Sequence, residues 1–60
     1  MFEFCQQVLL KVSFDRQLFR KELIKMIGLL QRDEVKLLKA WCFVTFVQYQ
    51  DIVHEVFASI

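Results

Sequence analysis

Proline is absent from this 60-residue chain, and glycine occurs once, at Gly28. Folds rich in hairpins and tight turns use both residues repeatedly, because proline fixes φ and glycine tolerates positive φ. Their scarcity favours long helices joined by few, short connections. One glycine also excludes the glycine-rich loops that bind phosphate groups.

Long apolar runs and a strong excess of one charge are missing as well. The most apolar segment, residues 40–47, has eight residues, whereas a helix needs about 20 apolar residues to cross a bilayer. We therefore expect no membrane span, and the start of the chain, which carries Glu3, does not resemble a secretory signal. Intrinsic disorder is excluded because the net charge is only +1 and 57% of the residues are hydrophobic.

Cysteine occurs twice, at Cys5 and Cys42, far apart in the sequence. We interpret both as buried thiols that pack like small hydrophobic residues, and we leave open whether they ever form a disulfide. Nothing else in the composition is typical of a secreted, disulfide-stabilised scaffold. We therefore expect a cytoplasmic protein.

Bulky apolar residues are what the chain has in abundance, including seven phenylalanines, one tryptophan and one tyrosine. Sixty residues form at most one domain, here residues 1–60, and a domain of this size buries only roughly 60% of its unfolded surface. Apolar burial contributes on the order of 25 cal/mol per Å². Apolar surface left outside such a small core should therefore favour association.

The spacing of the apolar residues predicts an all-α fold with three helices, at residues 2–12, 16–30 and 34–57. The connections are short, so we expect a short N-terminal helix followed by a long antiparallel helical hairpin. A helical bundle of this kind is expected to be completed by oligomerisation.

Local signals support the two helix starts. Asp15 is a good N-cap, and Phe14 and Phe19 occupy the positions of a hydrophobic staple around it. Asp33 is the predicted cap of the third helix. Gly28, inside the second helix, indicates either that the helix loosens before its end or that another backbone approaches closely.

The third predicted helix is apolar around its whole circumference between residues 40 and 47, apart from Thr45. A helix with this pattern is expected to be buried on all sides, and two helices of the same chain cannot easily enclose it. We predict an interface there, unless the first helix covers these side chains. The predicted interface residues are Trp41, Phe43, Val44, Val47 and Phe57.

Residues that could carry chemistry are few. Asp51, His54 and Glu55 could present metal ligands from adjacent helix positions, but a solvated polar face explains them better. Cys42 lies in an apolar segment, where burial would raise its pKa, so it is a poor nucleophile. We expect no enzyme activity, no metal and no cofactor.

Positive charge is concentrated in residues 16–39, which hold seven basic and three acidic side chains. This distribution supports an alternative hypothesis, a nucleic-acid-binding helical module. The basic face may equally serve solubility or bind an acidic protein surface, and an amphipathic basic helix can also bind membrane surfaces. The candidate nucleic-acid contacts are Arg16, Arg20, Lys21, Lys25 and Arg32.

These observations favour a non-enzymatic interaction or structural protein. We expect its partner to be a second copy of itself or another protein, with nucleic acid as the less favoured alternative.

Overall fold

The computed structural model describes residues 1–59, which form four α-helices and one short 3₁₀ turn. This confirms the prediction of an all-α fold. The helices are α1 (Phe2–Val12), α2 (Arg16–Leu29), α3 (Arg32–Thr45) and α4 (Gln50–Ala58), with the 3₁₀ turn at Val47–Tyr49.

The first two helices lie where the apolar spacing predicts them. The carboxylate of Asp15 accepts a 3.0 Å hydrogen bond from the amide of Leu18, so it caps α2 as expected. The predicted hydrophobic staple is wrong. Phe14 is 80% exposed and lies outside the group of side chains packed on the core, whereas Phe19 is fully buried.

The start of α3 also differs in detail from the prediction. The helix begins at Arg32, so Gln31 is the cap residue, not Asp33. Glu34 accepts a hydrogen bond from the Gln31 amide at 3.3 Å, which places a carboxylate at the positive end of the helix.

The prediction of one continuous third helix is wrong. The chain leaves the helix at Phe46, where φ is −110° and ψ is 62°, and re-enters it after Tyr49. We call residues 46–49 the α3–α4 break. It contains neither proline nor glycine, so its cause is tertiary: Phe46 and Tyr49 each pack on Phe19, with ring centroids 4.7 Å apart in both pairs.

The break changes how the helices pack. Because α4 turns back, it packs against both α2 and α3, while α1 packs against α2 and α3 from the other side. The main neighbours of α2 are therefore α1 and α4, and the predicted long hairpin of two adjacent helices does not form. The core consists of Cys5, Leu9, Phe19, Leu23, Met26, Leu38, Cys42, Phe46, Ile52, Val53, Val56 and Phe57.

The folded chain is as compact as a monomer of its mass should be. Its accessible surface is 4154 Å², and the general scaling for a 7.3 kDa protein gives about 4,200 Å². Refolding of the last helix thus satisfies part of the apolar surplus that the sequence shows. The remaining surplus lies in the composition of the surface, not in its area.

Candidate interaction surface

An apolar stripe runs along the side of α3 that faces away from the core. Leu37, Ala40, Trp41 and Val44 are spaced three and four residues apart, so their side chains lie on one side of the helix. Leu37 is 60% and Val44 79% exposed, Ala40 is exposed, and Trp41 is half-buried. We call these four residues the α3 outer face.

The ring of Trp41 connects this face to the core. It meets Phe46 edge-on, with centroids 5.2 Å apart and planes at 89°. One edge of the indole is therefore fixed by packing while the rest reaches the surface. A side chain held in this way loses little conformational entropy when a partner covers it.

The structure separates the five predicted interface residues into three groups. Val44 and Val47 are 79% and 63% exposed, Trp41 and Phe43 are half-buried against the core, and Phe57 is 9% exposed and belongs to the core. Phe57 is covered because α4 turns back onto α2 and α3, which a straight helix would not allow. Only Trp41, Val44 and Val47 therefore remain near the α3 outer face.

Sequence reasoning missed Leu37 and Ala40. The signal was present, because residues 37, 40, 41 and 44 repeat at helical spacing on the side opposite Leu38 and Cys42. It was hidden by the assumption that the apolar surplus was confined to residues 40–47. Lys36 and Lys39, both exposed, flank the α3 outer face.

Other large apolar side chains are exposed, but they are more scattered. Met1, Phe4 and Leu10 lie on or before α1, Phe14 in the following turn, and Ile24 and Leu29 on α2. Single exposed apolar residues are ordinary on protein surfaces, whereas a contiguous row indicates a binding site. The α3 outer face is such a row.

Two of the five residues of the predicted nucleic-acid face form ion pairs within the chain. Arg16 pairs with Asp51, and Arg20 donates through Nη2 to Glu55 Oε1 at 2.6 Å and through Nε at 3.1 Å. The Arg16 hydrogen bond lowers the pKa of Asp51, and the same bond raises the pKa of Arg16. These pairs join α2 to α4, at side chains that remain at least half exposed.

The other three predicted basic residues take part in neither pair. Lys21 and Lys25 are exposed on α2, and Arg32 is the first residue of α3. The basic region thus offers fewer free cations than the sequence implies. A phosphate backbone approaching Arg16 or Arg20 would compete with a carboxylate that is already in place.

The two thiols lie in the core. Cys5 and Cys42 are both fully buried and free, and burial raises the pKa of Cys42 to about 12. Burial also raises the pKa of Cys5. A thiol with so high a pKa forms almost no thiolate at neutral pH, which is a poor basis for nucleophilic chemistry.

Within residues 1–59, no three acidic, histidine or cysteine side chains converge as a metal site would require. His54 lies exposed on α4, between Asp51 and Glu55, which face Arg16 and Arg20. In the same part of the chain, no helix has the length and apolar character needed to span a bilayer.

Comparisons of the chain with protein families, with curated proteins and with solved structures found no match.

Proposed function

We propose that the protein is a non-enzymatic interaction module that binds a second copy of itself, or another protein, through the α3 outer face. The observation that carries the proposal is the row of Leu37, Ala40, Trp41 and Val44, exposed at positions i, i+3, i+4 and i+7 of one helix. Helices that dock into apolar grooves or against other helices present their anchor residues at this spacing.

The sizes of these side chains fit a helix contact. Ala40 allows a second backbone to approach closely, and Trp41 beside it supplies the large aromatic surface that dominates many interfaces. Lys36 and Lys39 flank the row, and their stems can cover its edge while the charges remain in water.

Light scattering during size-exclusion chromatography tests the proposal. We expect a mass above 7.3 kDa for the natural chain at high concentration, and a return toward the monomer mass when Leu37 and Val44 are both changed to lysine. The matched control changes Leu10 and Ile24 to lysine, because these side chains are about half exposed on other helices. Equal masses for the two double variants would argue against the α3 outer face.

The nucleic-acid alternative makes a different prediction. Binding to phosphates weakens steeply with salt, because cations bound to the phosphates are released. Titration of labelled DNA or RNA at 50 and 200 mM salt, repeated after Lys21 and Lys25 are changed to alanine, separates the two functions. The internal pairing of Arg16 and Arg20 is the reason that we favour the interaction module.

A further inference from the structure

The α3–α4 break lies in a segment whose sequence would accept a continuous helix. Residues 46–49 are Phe-Val-Gln-Tyr, without proline or glycine, and no residue described has a positive φ. Their intrinsic helix propensities are ordinary, within roughly 0.7 kcal/mol of alanine for each residue. The local sequence therefore does not specify the break.

The buried residues on either side of the break also keep one helical phase. Leu38 and Cys42 of α3 and Val53 and Val56 of α4 are all buried, and in an uninterrupted helix they would lie on one face. Straightening residues 46–49 would therefore keep both core-facing surfaces on the same side of one helix. Such a helix, from residue 32 to 58, would be about 40 Å long.

If the helix straightened, α4 would leave its own α2. The seat that it vacates is well defined: it is apolar at Phe19 and Leu23, and it carries Arg16 and Arg20, which pair with Asp51 and Glu55. The segment of matching shape and charge is α4 itself, and a second copy of the chain supplies it. Every α2–α4 contact of the monomer can then form between two chains.

We propose that the protein forms a domain-swapped dimer, in which α3 and α4 of each copy become one helix and α4 docks on α2 of the other copy. Exchange of an identical element is a low-cost route to a dimer, because the contacts of the exchanged element are kept. The gain over two monomers comes from helical hydrogen bonds across the break. A second gain comes from apolar side chains near it, such as Val44 and Val47, which two crossing long helices can cover.

This proposal depends on the proposed function only for self-association, and a pair of variants at Val47 separates the two. In the closed monomer the backbone hydrogen bonds around the break run from the Phe46 amide to the Cys42 carbonyl and from the Tyr49 amide to the Phe46 carbonyl. Neither uses the Val47 amide. Val47 is also the first residue of the 3₁₀ turn, and Phe46 before it lies outside the α region, so proline fits here.

In a continuous helix, proline at position 47 would remove a hydrogen bond and clash with the preceding turn. The penalty is about a hundredfold in the equilibrium constant for each helix, so about 10⁴-fold for a dimer with two. We therefore expect Val47→Pro to be a folded monomer at concentrations where the natural chain is dimeric. Val47→Ala, which removes the same exposed side chain but favours a helix, should dimerise at least as well as the natural chain.

Light scattering gives the mass of each variant, and circular dichroism shows that each is helical. A natural chain that stays monomeric at millimolar concentration would overturn the swap. So would equal dimerisation of Val47→Pro and Val47→Ala. If those two agree while the Leu37 and Val44 lysine variant is monomeric, the swap is wrong and the interaction through the α3 outer face stands.

A mixing experiment tests the exchange of α4 directly, without proline. One chain carries Arg16→Glu and Arg20→Glu, and the other carries Asp51→Arg and Glu55→Arg. Alone, each chain brings like charges together between α2 and α4. In a swapped heterodimer, both α2–α4 contacts become complementary.

Native mass spectrometry of the two chains, unfolded and refolded together, gives the proportion of heterodimer. We expect it to exceed the statistical half severalfold relative to the homodimers, since each exposed ion pair contributes little by itself but several act together. A statistical proportion of heterodimer would show that α4 does not cross between chains, and would overturn the proposal.

Discussion

The hydroxyl of Tyr49 donates a 2.6 Å hydrogen bond to the backbone carbonyl of Ser13, 36 residues away in the sequence. This bond joins the α3–α4 break to the turn between α1 and α2. The ring of Tyr49 also packs on Phe19, the fully buried residue at the centre of this end of the bundle. Two connections of the chain are therefore held together by one side chain.

We expect Tyr49→Phe to lower the free energy of unfolding by about 1 kcal/mol, because the part-buried Ser13 carbonyl loses its donor while the ring stays in place. Urea denaturation followed by circular dichroism measures the change. Tyr49→Leu, which also removes the ring packing on Phe19, should cost more. Equal stabilities of Tyr49→Phe and the natural protein would show that water replaces the bond at no cost.

Gly28 offers a stabilising substitution. It lies inside α2, is exposed, and a Cβ built on it meets no atom within 4 Å. The sequence left two explanations for this glycine, and the open space around it excludes the close approach of another backbone. We expect Gly28→Ala to raise the free energy of unfolding by roughly 0.5–1 kcal/mol, because alanine loses less backbone entropy in a helix. A loss of stability in thermal denaturation would contradict this explanation.

The cap of α2 is a second local test. Asp15→Ala removes the acceptor of the Leu18 amide and should lower the free energy of unfolding by about 1 kcal/mol. Asp15→Asn, which keeps an acceptor at the same position, should recover most of the loss. Because Phe14 is exposed and forms no staple, Phe14→Ser should change stability by less than about 0.5 kcal/mol.

The buried thiol of Cys42 makes stability depend on alkaline pH. Its pKa is raised from 9.0 to about 12 in the folded chain, so above pH 9 the unfolded chain loses this proton while the folded chain keeps it. The unfolded state then binds fewer protons, and stability must fall as pH rises between these two values. Its contribution is present in full below pH 9.

The slope from this one group approaches about 1.4 kcal/mol per pH unit. Urea denaturation at pH 8, 9 and 10 measures it, and Cys42→Ala, compared with itself across the same range, removes it from the total. Other groups also titrate there, so the difference between the two slopes is the quantity to compare. Parallel slopes for the two proteins would show that Cys42 is not shielded from solvent in the folded state.

Much of the fold follows from local patterns. The apolar spacing predicts α1 and α2 to within one residue at each end, and the carboxylate at position 15 predicts the start of α2. Both depend on neighbours within one or two helical turns, which a sequence displays. The exposure of Val44 and Val47 could be predicted for a similar reason, since their face lies opposite Leu38 and Cys42.

The break between α3 and α4 could not be predicted, because residues 46–49 read as helix and the phase of the buried residues does not change across them. What stops the helix is the packing of Phe46 and Tyr49 on Phe19, from a helix that precedes them by almost half the chain. The position of Phe57 follows from the same turn, which moves it from the predicted interface into the core.

The sequence by itself determined that this protein is helical, where its first two helices lie, and that it holds more apolar surface than its small core can take. The tertiary structure alone decided where the last helix bends, which basic residues are neutralised by α4, and which apolar side chains remain in water. The reason is physical: helix formation depends on residues three and four apart, whereas burial and ion pairing depend on contacts that form only when distant segments meet.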